Sequence, residues 1–172
     1  MVWALIATAL YFFLPAYVAN MAPVLLKKLP FLNWPIHERY FGRNKTWRGI
    51  AVGILAGMLT FWLQKVAYEQ GFRSFALIDY GDFSLALGLL MGFGAIGGDL
   101  LESFYKRRQG ISPGQPWVPW DQLDFVFGGI ICTSFIYVPP AEIVMILLIA
   151  SPLLHVAVNY LGYVLRIKKN KF

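Results

Sequence analysis

Residues 98–129 read GDLLESFYKRRQGISPGQPWVPWDQLDFVFGG and lie between two strongly apolar stretches. Asp99 and Glu102 fall within the end of one apolar segment, and Asp121 and Asp124 at the start of the next. Lys106, Arg107 and Arg108 stand between the two pairs. A charged side chain in hydrocarbon costs roughly 2.5 kcal/mol or more, so charges at such positions point to function. Four carboxylates beside a basic triplet suit the binding of a metal–polyphosphate.

The rest of the chain shows why these positions count as intramembrane. Of 172 residues, 58% are hydrophobic and only 14% charged, against about 25% charged in soluble domains. One small core cannot hide that much apolar surface, which predicts an all-α polytopic membrane helical bundle. The length suits a single transmembrane catalytic domain over residues 1–172. The net charge of +6 raises the question of nucleic acid, but the placement of the charges argues against such a partner. Cys132, the only cysteine, lies in an apolar stretch, so neither a disulfide framework nor a cysteine metal site is expected.

Five spans are predicted, over about 1–26, 49–66, 83–105, 122–138 and 141–165. The first lacks the basic leader of a signal peptide and reads as a retained span, kinked or ended by Pro15 and Pro23. Pro139-Pro140 forces a reversal between the last two. All Lys and Arg residues except Lys65 and Arg73 fall in the segments after spans one and three and in the tail (Arg166, Lys168, Lys169, Lys171). That bias predicts a multi-pass cell-membrane protein with its N-terminus outside and its C-terminus in the cytoplasm. The pairs Gly53/Gly57, Gly88/Gly92 and Gly94/Gly98 have the spacing that lets helix backbones approach closely in lipid.

A depth count brings the carboxylates together. Asp99 lies about 24 Å along span three from Phe83. Counted back from Val138, Asp124 lies about 21 Å and Asp121 about 25 Å from the same outer surface. All three then sit about one turn below the cytoplasmic boundary. Four acidic groups there would repel one another and take up protons without a cation. With no histidine or cysteine nearby, oxygen donors favour Mg²⁺ over zinc. Asp99 and Asp124 are the first candidates as metal ligands, and Glu102 is either a third ligand or the partner of a basic residue. The competing arrangement is a set of buried salt bridges to Lys106, Arg107 or Arg108.

Three further features stay open on residues alone. The block Asn44-Lys45-Thr46-Trp47-Arg48-Gly49 opens span two on the cytoplasmic side; its N–H groups, Lys45 and Arg48 suit an anion, and an ordinary helix cap explains it equally well. It lacks the glycines of a P-loop. Trp117 and Trp120 suit an interfacial aromatic belt or a loop contacting a nucleoside. His155 and Asn159 suit an interhelical hydrogen bond or a lipid phosphate, and His37 suits a solvated position.

Taken together, Asn44–Gly49, Ser112-Pro113-Gly114-Gln115-Pro116-Trp117, Asp121-Gln122-Leu123-Asp124 and Gly98-Asp99 with Lys106-Arg107 resemble the CDP-archaeol synthases. These form the archaeal branch of the CDP-diacylglycerol synthase family, and the resemblance covers nearly the whole chain. The wider family has an arginine where this chain has Gln122, and its glycine- and histidine-containing loop is replaced here by one with tryptophans. The resemblance implies a Mg²⁺-dependent transfer of CMP from CTP to an unsaturated archaetidic acid, a prenylated glycerol phosphate, with release of pyrophosphate. It implies metal on Asp99 and Asp124, supported by Asp121 and Glu102. Phosphates would be neutralised by Lys45, Arg48, Lys106 and Arg107, and the nucleotide held by Asn44, Thr46, Ser112 and Gln115. A homodimer is compatible with it. Two other classes compete. A small transporter would show inverted repeats, and none is visible; a CDP-alcohol phosphotransferase needs a D-G-x-x-A-R block, which this chain lacks.

Overall fold

The computed structural model describes residues 2–164, without the side chains of 159, 161 and 162. The tail residues Arg166, Lys168, Lys169 and Lys171, the end of the fifth predicted span and the Asn159 side chain lie outside the described residues. Those described form seven helices, with no strand: α1 (Val2–Phe12), α2 (Leu14–Leu25), α3 (Glu38–Phe41), α4 (Trp47–Glu69), α5 (Ala86–Arg108), α6 (Trp120–Thr133) and α7 (Ala141–Val164). A 3-10 turn spans Tyr80–Asp82.

The expected all-α membrane bundle is present. α4, α5 and α7 are each long and apolar enough to cross a bilayer, and α1 with α2, bent by 53° between them, are a fourth such element if the pair is counted as one span. The bend falls at Phe13, just before Pro15, which sits in the first turn of α2 where a missing N–H costs nothing. The fourth predicted span comprises the 14-residue helix α6 and the segment after it, whose Tyr137 packs on Phe83 at 5.8 Å, where the third predicted span begins. At about 1.5 Å per residue α6 is about 21 Å long, short of a hydrocarbon core of about 30 Å. The hydroxyls of Thr133 and Ser134 bond back to the carbonyls of Gly129 and Ile130 at its end. Phe135–Val138, which a hydropathy count takes as helix, form the turn before Pro139.

α5 is the hub. It runs antiparallel to α4 and to α6, and glycine sets both spacings. A Cβ on Gly57 would lie 2.8 Å from the Gly92 Cα, and one on Gly98 would run into the Asp124 carbonyl oxygen. Any larger residue at Gly98 forces α5 and α6 apart. Phe12 and Phe13 at the α1/α2 bend, Phe125 of α6 and Leu147 of α7 belong to one buried core. Outward faces stay apolar, as with Leu55, Leu59, Ile149 and Leu153, since hydrocarbon is their solvent. At the end opposite the charged loops, Lys65 Nζ donates to the carbonyls of Gly81 and Phe83 at 2.7 and 3.2 Å, fixing the turn that feeds α5.

Candidate active site

The close approach at Gly98 decides the geometry. With the α6 backbone against α5 at that glycine, Asp99 and Glu102 face Asp124. Carboxylate oxygens of these three residues lie within 4.8 Å of one another. That is the depth coincidence expected from residue counting for Asp99 and Asp124. Asp121 lines the same cavity as Asp99 and Asp124 but is engaged by other groups: Oδ1 accepts from Lys106 Nζ at 2.7 Å and Oδ2 from the Trp117 N–H at 2.6 Å. Lys106 also reaches Glu102 at 3.2 Å and is almost wholly buried. The salt-bridge arrangement is therefore realised for Lys106, which pins the 109–120 loop to α5 instead of standing free for a phosphate.

Two cavities flank the three carboxylates. A polar cavity of about 560 Å³ lies among α2, α4, α5 and α6, lined by Asn44, Lys45, Thr46 and Arg48, and by Asp99, Asp121 and Asp124. Lys27 and Arg43 add positive charge, and His155 reaches in from α7. The second cavity, about 580 Å³, opens along the outer groove of α5 and α6. Leu101, Tyr105, Trp117, Trp120, Phe127 and Ile131 make it largely apolar, with Glu102 and Asp124 in its wall. Asp124 lines both cavities.

Lys45 Nζ donates to both oxygens of Asp99, at 2.7 and 2.6 Å. Burial lowers the pKa of this ammonium, but the Asp99 charge and hydrogen bond, with Asp124 and Glu102 beyond, outweigh that and hold it above the ordinary lysine value. The start of α4 is less available to an anion than its sequence suggests. Thr46 caps it by accepting the Gly49 N–H at 3.2 Å. The N–H groups of Trp47 and Arg48 donate to the carbonyls of Trp34 and Leu32, at 3.2 and 2.8 Å. Arg48 also holds the Leu29 carbonyl through Nη1 at 2.8 Å, while its buried Nε makes no hydrogen bond. Side chains, not backbone amides, carry the positive potential of this cavity.

Three of the expected site residues lie outside both cavities. Ser112 and Gln115 are exposed and line neither cavity; the Gln115 side-chain oxygen accepts the Ser112 N–H within their own loop. Arg107 lines neither cavity. The loop tryptophans close over the apolar cavity, not the polar one. His155 packs edge-on to Phe125 at 6.0 Å while facing the polar cavity. Asn20, on α2 in the polar wall, escaped the sequence reading, although it is the one side-chain amide in the first apolar stretch.

The donor set fits a hard divalent cation: three carboxylates converge, with no sulfur or imidazole among them.

The chain is similar to known proteins along nearly its whole length. A family model described as CarS-like, CDP-archaeol synthase, matches residues 2–172. The CDP-archaeol synthase of Pyrococcus furiosus is 36% identical over 167 residues, covering 95% of this chain and 96% of the relative. That of Thermofilum pendens is 34% identical over 176 residues, covering 95% and 79%. A solved structure, described as an intramembrane enzyme for archaeal membrane lipids biosynthesis, superposes with a TM-score of 0.66 at 29% identity, over 88% of this chain and 92% of that one. With matches this long and an all-helical intramembrane fold in common, the chain belongs to the CarS-like CDP-archaeol synthase family.

Proposed function

We propose that this enzyme transfers CMP from CTP to 2,3-bis-O-geranylgeranyl-sn-glycerol 1-phosphate, giving the CDP-linked ether lipid and pyrophosphate at the cytoplasmic face of the membrane. The observation that carries this reading is the meeting of a polar and an apolar cavity at one cluster of carboxylates. The two substrates differ in the same sense: one is a highly charged water-soluble anion, the other a phosphate on two long apolar chains. In this reading the triphosphate occupies the polar cavity, where Lys45, Arg48, Lys27 and Arg43 offset its charge. Asn44, Thr46 and Asn20 supply hydrogen-bonding groups to the nucleotide. The lipid lies in the α5/α6 groove with its chains against Leu101, Phe127 and Ile131. Its phosphate reaches past Glu102 and Asp124.

A lipid phosphate oxygen forms the new bond to the α-phosphorus of CTP, and the bond to the β-phosphate oxygen breaks, releasing pyrophosphate. The nucleophile is already an anion at neutral pH, so no side chain need remove a proton. Positioning and charge neutralisation supply the catalysis. Mg²⁺ held by Asp99, Asp124 and Glu102 would supply the charge that offsets the triphosphate. Lys106 and Asp121 act on Glu102 and the Trp117 loop as positioning residues. The orientation, with α1 beginning outside, follows from the basic bias of the segments next to the site.

The test is CTP-dependent pyrophosphate release by the purified protein in lipid nanodiscs, with Mg²⁺ and the prenylated glycerol phosphate. Release that needs all three components supports the reading. Absence of release with every component present overturns it.

A further inference from the structure

We propose that Lys45 is a displaceable counter-ion, holding Asp99 in the metal-free protein and leaving it for the triphosphate when a divalent cation takes that carboxylate. The inference deepens the proposed reaction and rests on the site being divalent-dependent. Its geometric basis is the double contact of Lys45 Nζ with Asp99, at 2.7 and 2.6 Å, within a cluster whose other members are Glu102 and Asp124. Lys106 cannot serve in its place, because it is committed to Glu102 and Asp121. Lys45 is thus the ammonium that keeps the Asp99 side of the cluster neutralised.

A divalent cation and an ammonium compete for the same carboxylate lone pairs. A small hard cation also demands close, nearly octahedral oxygen ligands, which an ammonium shared over both Asp99 oxygens obstructs. Once a cation holds Asp99, Lys45 becomes a surplus charge in a partly desolvated cavity beside Arg48, Lys27 and Arg43. A triphosphate removes that surplus. The side chain can make this move alone. The Lys45 carbonyl accepts the Ile36 N–H at 2.9 Å, and the two residues after Thr46 are tied to Trp34 and Leu32, so the backbone stays fixed. Four rotatable bonds carry the ammonium. Cation and nucleotide then bind cooperatively, and by linkage each tightens the other by the same factor.

The experiment titrates the purified full chain with Mn²⁺, followed by electron paramagnetic resonance, with and without CTP. Without nucleotide, Lys45→Met binds Mn²⁺ at least tenfold more tightly than the wild type, and CTP tightens that binding far less than it does in the wild type. Equal or weaker Mn²⁺ binding by a folded Lys45→Met protein overturns the inference. A second measurement needs no variant: acylation of Lys45 in the wild type, read by mass spectrometry, rises several-fold with Mn²⁺ alone and falls again when CTP is added. Labelling unchanged by Mn²⁺ also overturns it. Failure of pyrophosphate release would remove the reaction and leave the Mn²⁺ comparison readable. Equal Mn²⁺ affinities would remove only the role of Lys45.

Discussion

Lys45 and Lys106 carry the same charge beside the same acidic group, yet their surroundings separate them. Lys106 is nearly inaccessible between Glu102 and Asp121, whereas the Lys45 side chain retains about a quarter of its exposure and faces an open cavity. Removing one partner of a buried ion pair leaves the others uncompensated, at a cost of about 3 kcal/mol. Lys106→Met should therefore lower the unfolding free energy in detergent by an amount of that order, seen as a lower denaturation midpoint by circular dichroism. An unchanged midpoint would mean that Glu102 and Asp121 find other partners. Asp124→Asn belongs to the opposite class. It keeps the side-chain volume and should leave the fold intact while lowering pyrophosphate release about 100-fold or more. Full activity in that variant would remove Asp124 from the site.

At the scale of elements, the site depends on how closely α5 and α6 pack. Gly97 and Gly98 are neighbours with opposite surroundings: a Cβ on Gly97 meets nothing within 4 Å, while one on Gly98 runs into the Asp124 backbone. Gly97→Ala should be close to neutral. Gly98→Ala should move Asp124 away from Asp99 and cost about 100-fold in activity, the scale expected for a displacement of about 1 Å. Comparable activities for the two variants would show that the helix spacing does not set the site. This contact also marks the limit of what the sequence discloses. The Gly94/Gly98 spacing was legible, as were the helical class, the acidic cluster and the cavity-facing block Asn44–Arg48, because charge in an apolar segment and small residues four apart are local signals. The shortness of α6 was not legible, since hydropathy does not separate apolar helix from the apolar turn at Phe135–Val138. Nor was the placement of Ser112 and Gln115, which is decided by where the loop folds back. The consumption of the first α4 amides by Trp34 and Leu32 depends on a segment more than ten residues upstream.

For the molecule as a whole, the charged loops and both cavities lie at one end of the bundle, with the Lys65–Gly81 turn at the other. The proposed orientation, argued from the basic bias, puts the first end in the cytoplasm. In inside-out and right-side-out vesicles of a Cys132→Ala background, an impermeant maleimide should label Arg73→Cys from outside only and Arg108→Cys from the cytoplasmic side only. The reverse pattern would invert the topology and put the nucleotide cavity on the wrong side for CTP.

The central claim is that two cavities bring a nucleotide and a membrane lipid to one carboxylate cluster for nucleotidyl transfer. It is tested most directly by following the position of label in CTP. With the protein, Mg²⁺ and the prenylated glycerol phosphate, label at the α-phosphorus should enter the lipid fraction, and label at the γ-phosphorus should leave in pyrophosphate. Label from the γ-position in the lipid, or label from neither, would contradict the account.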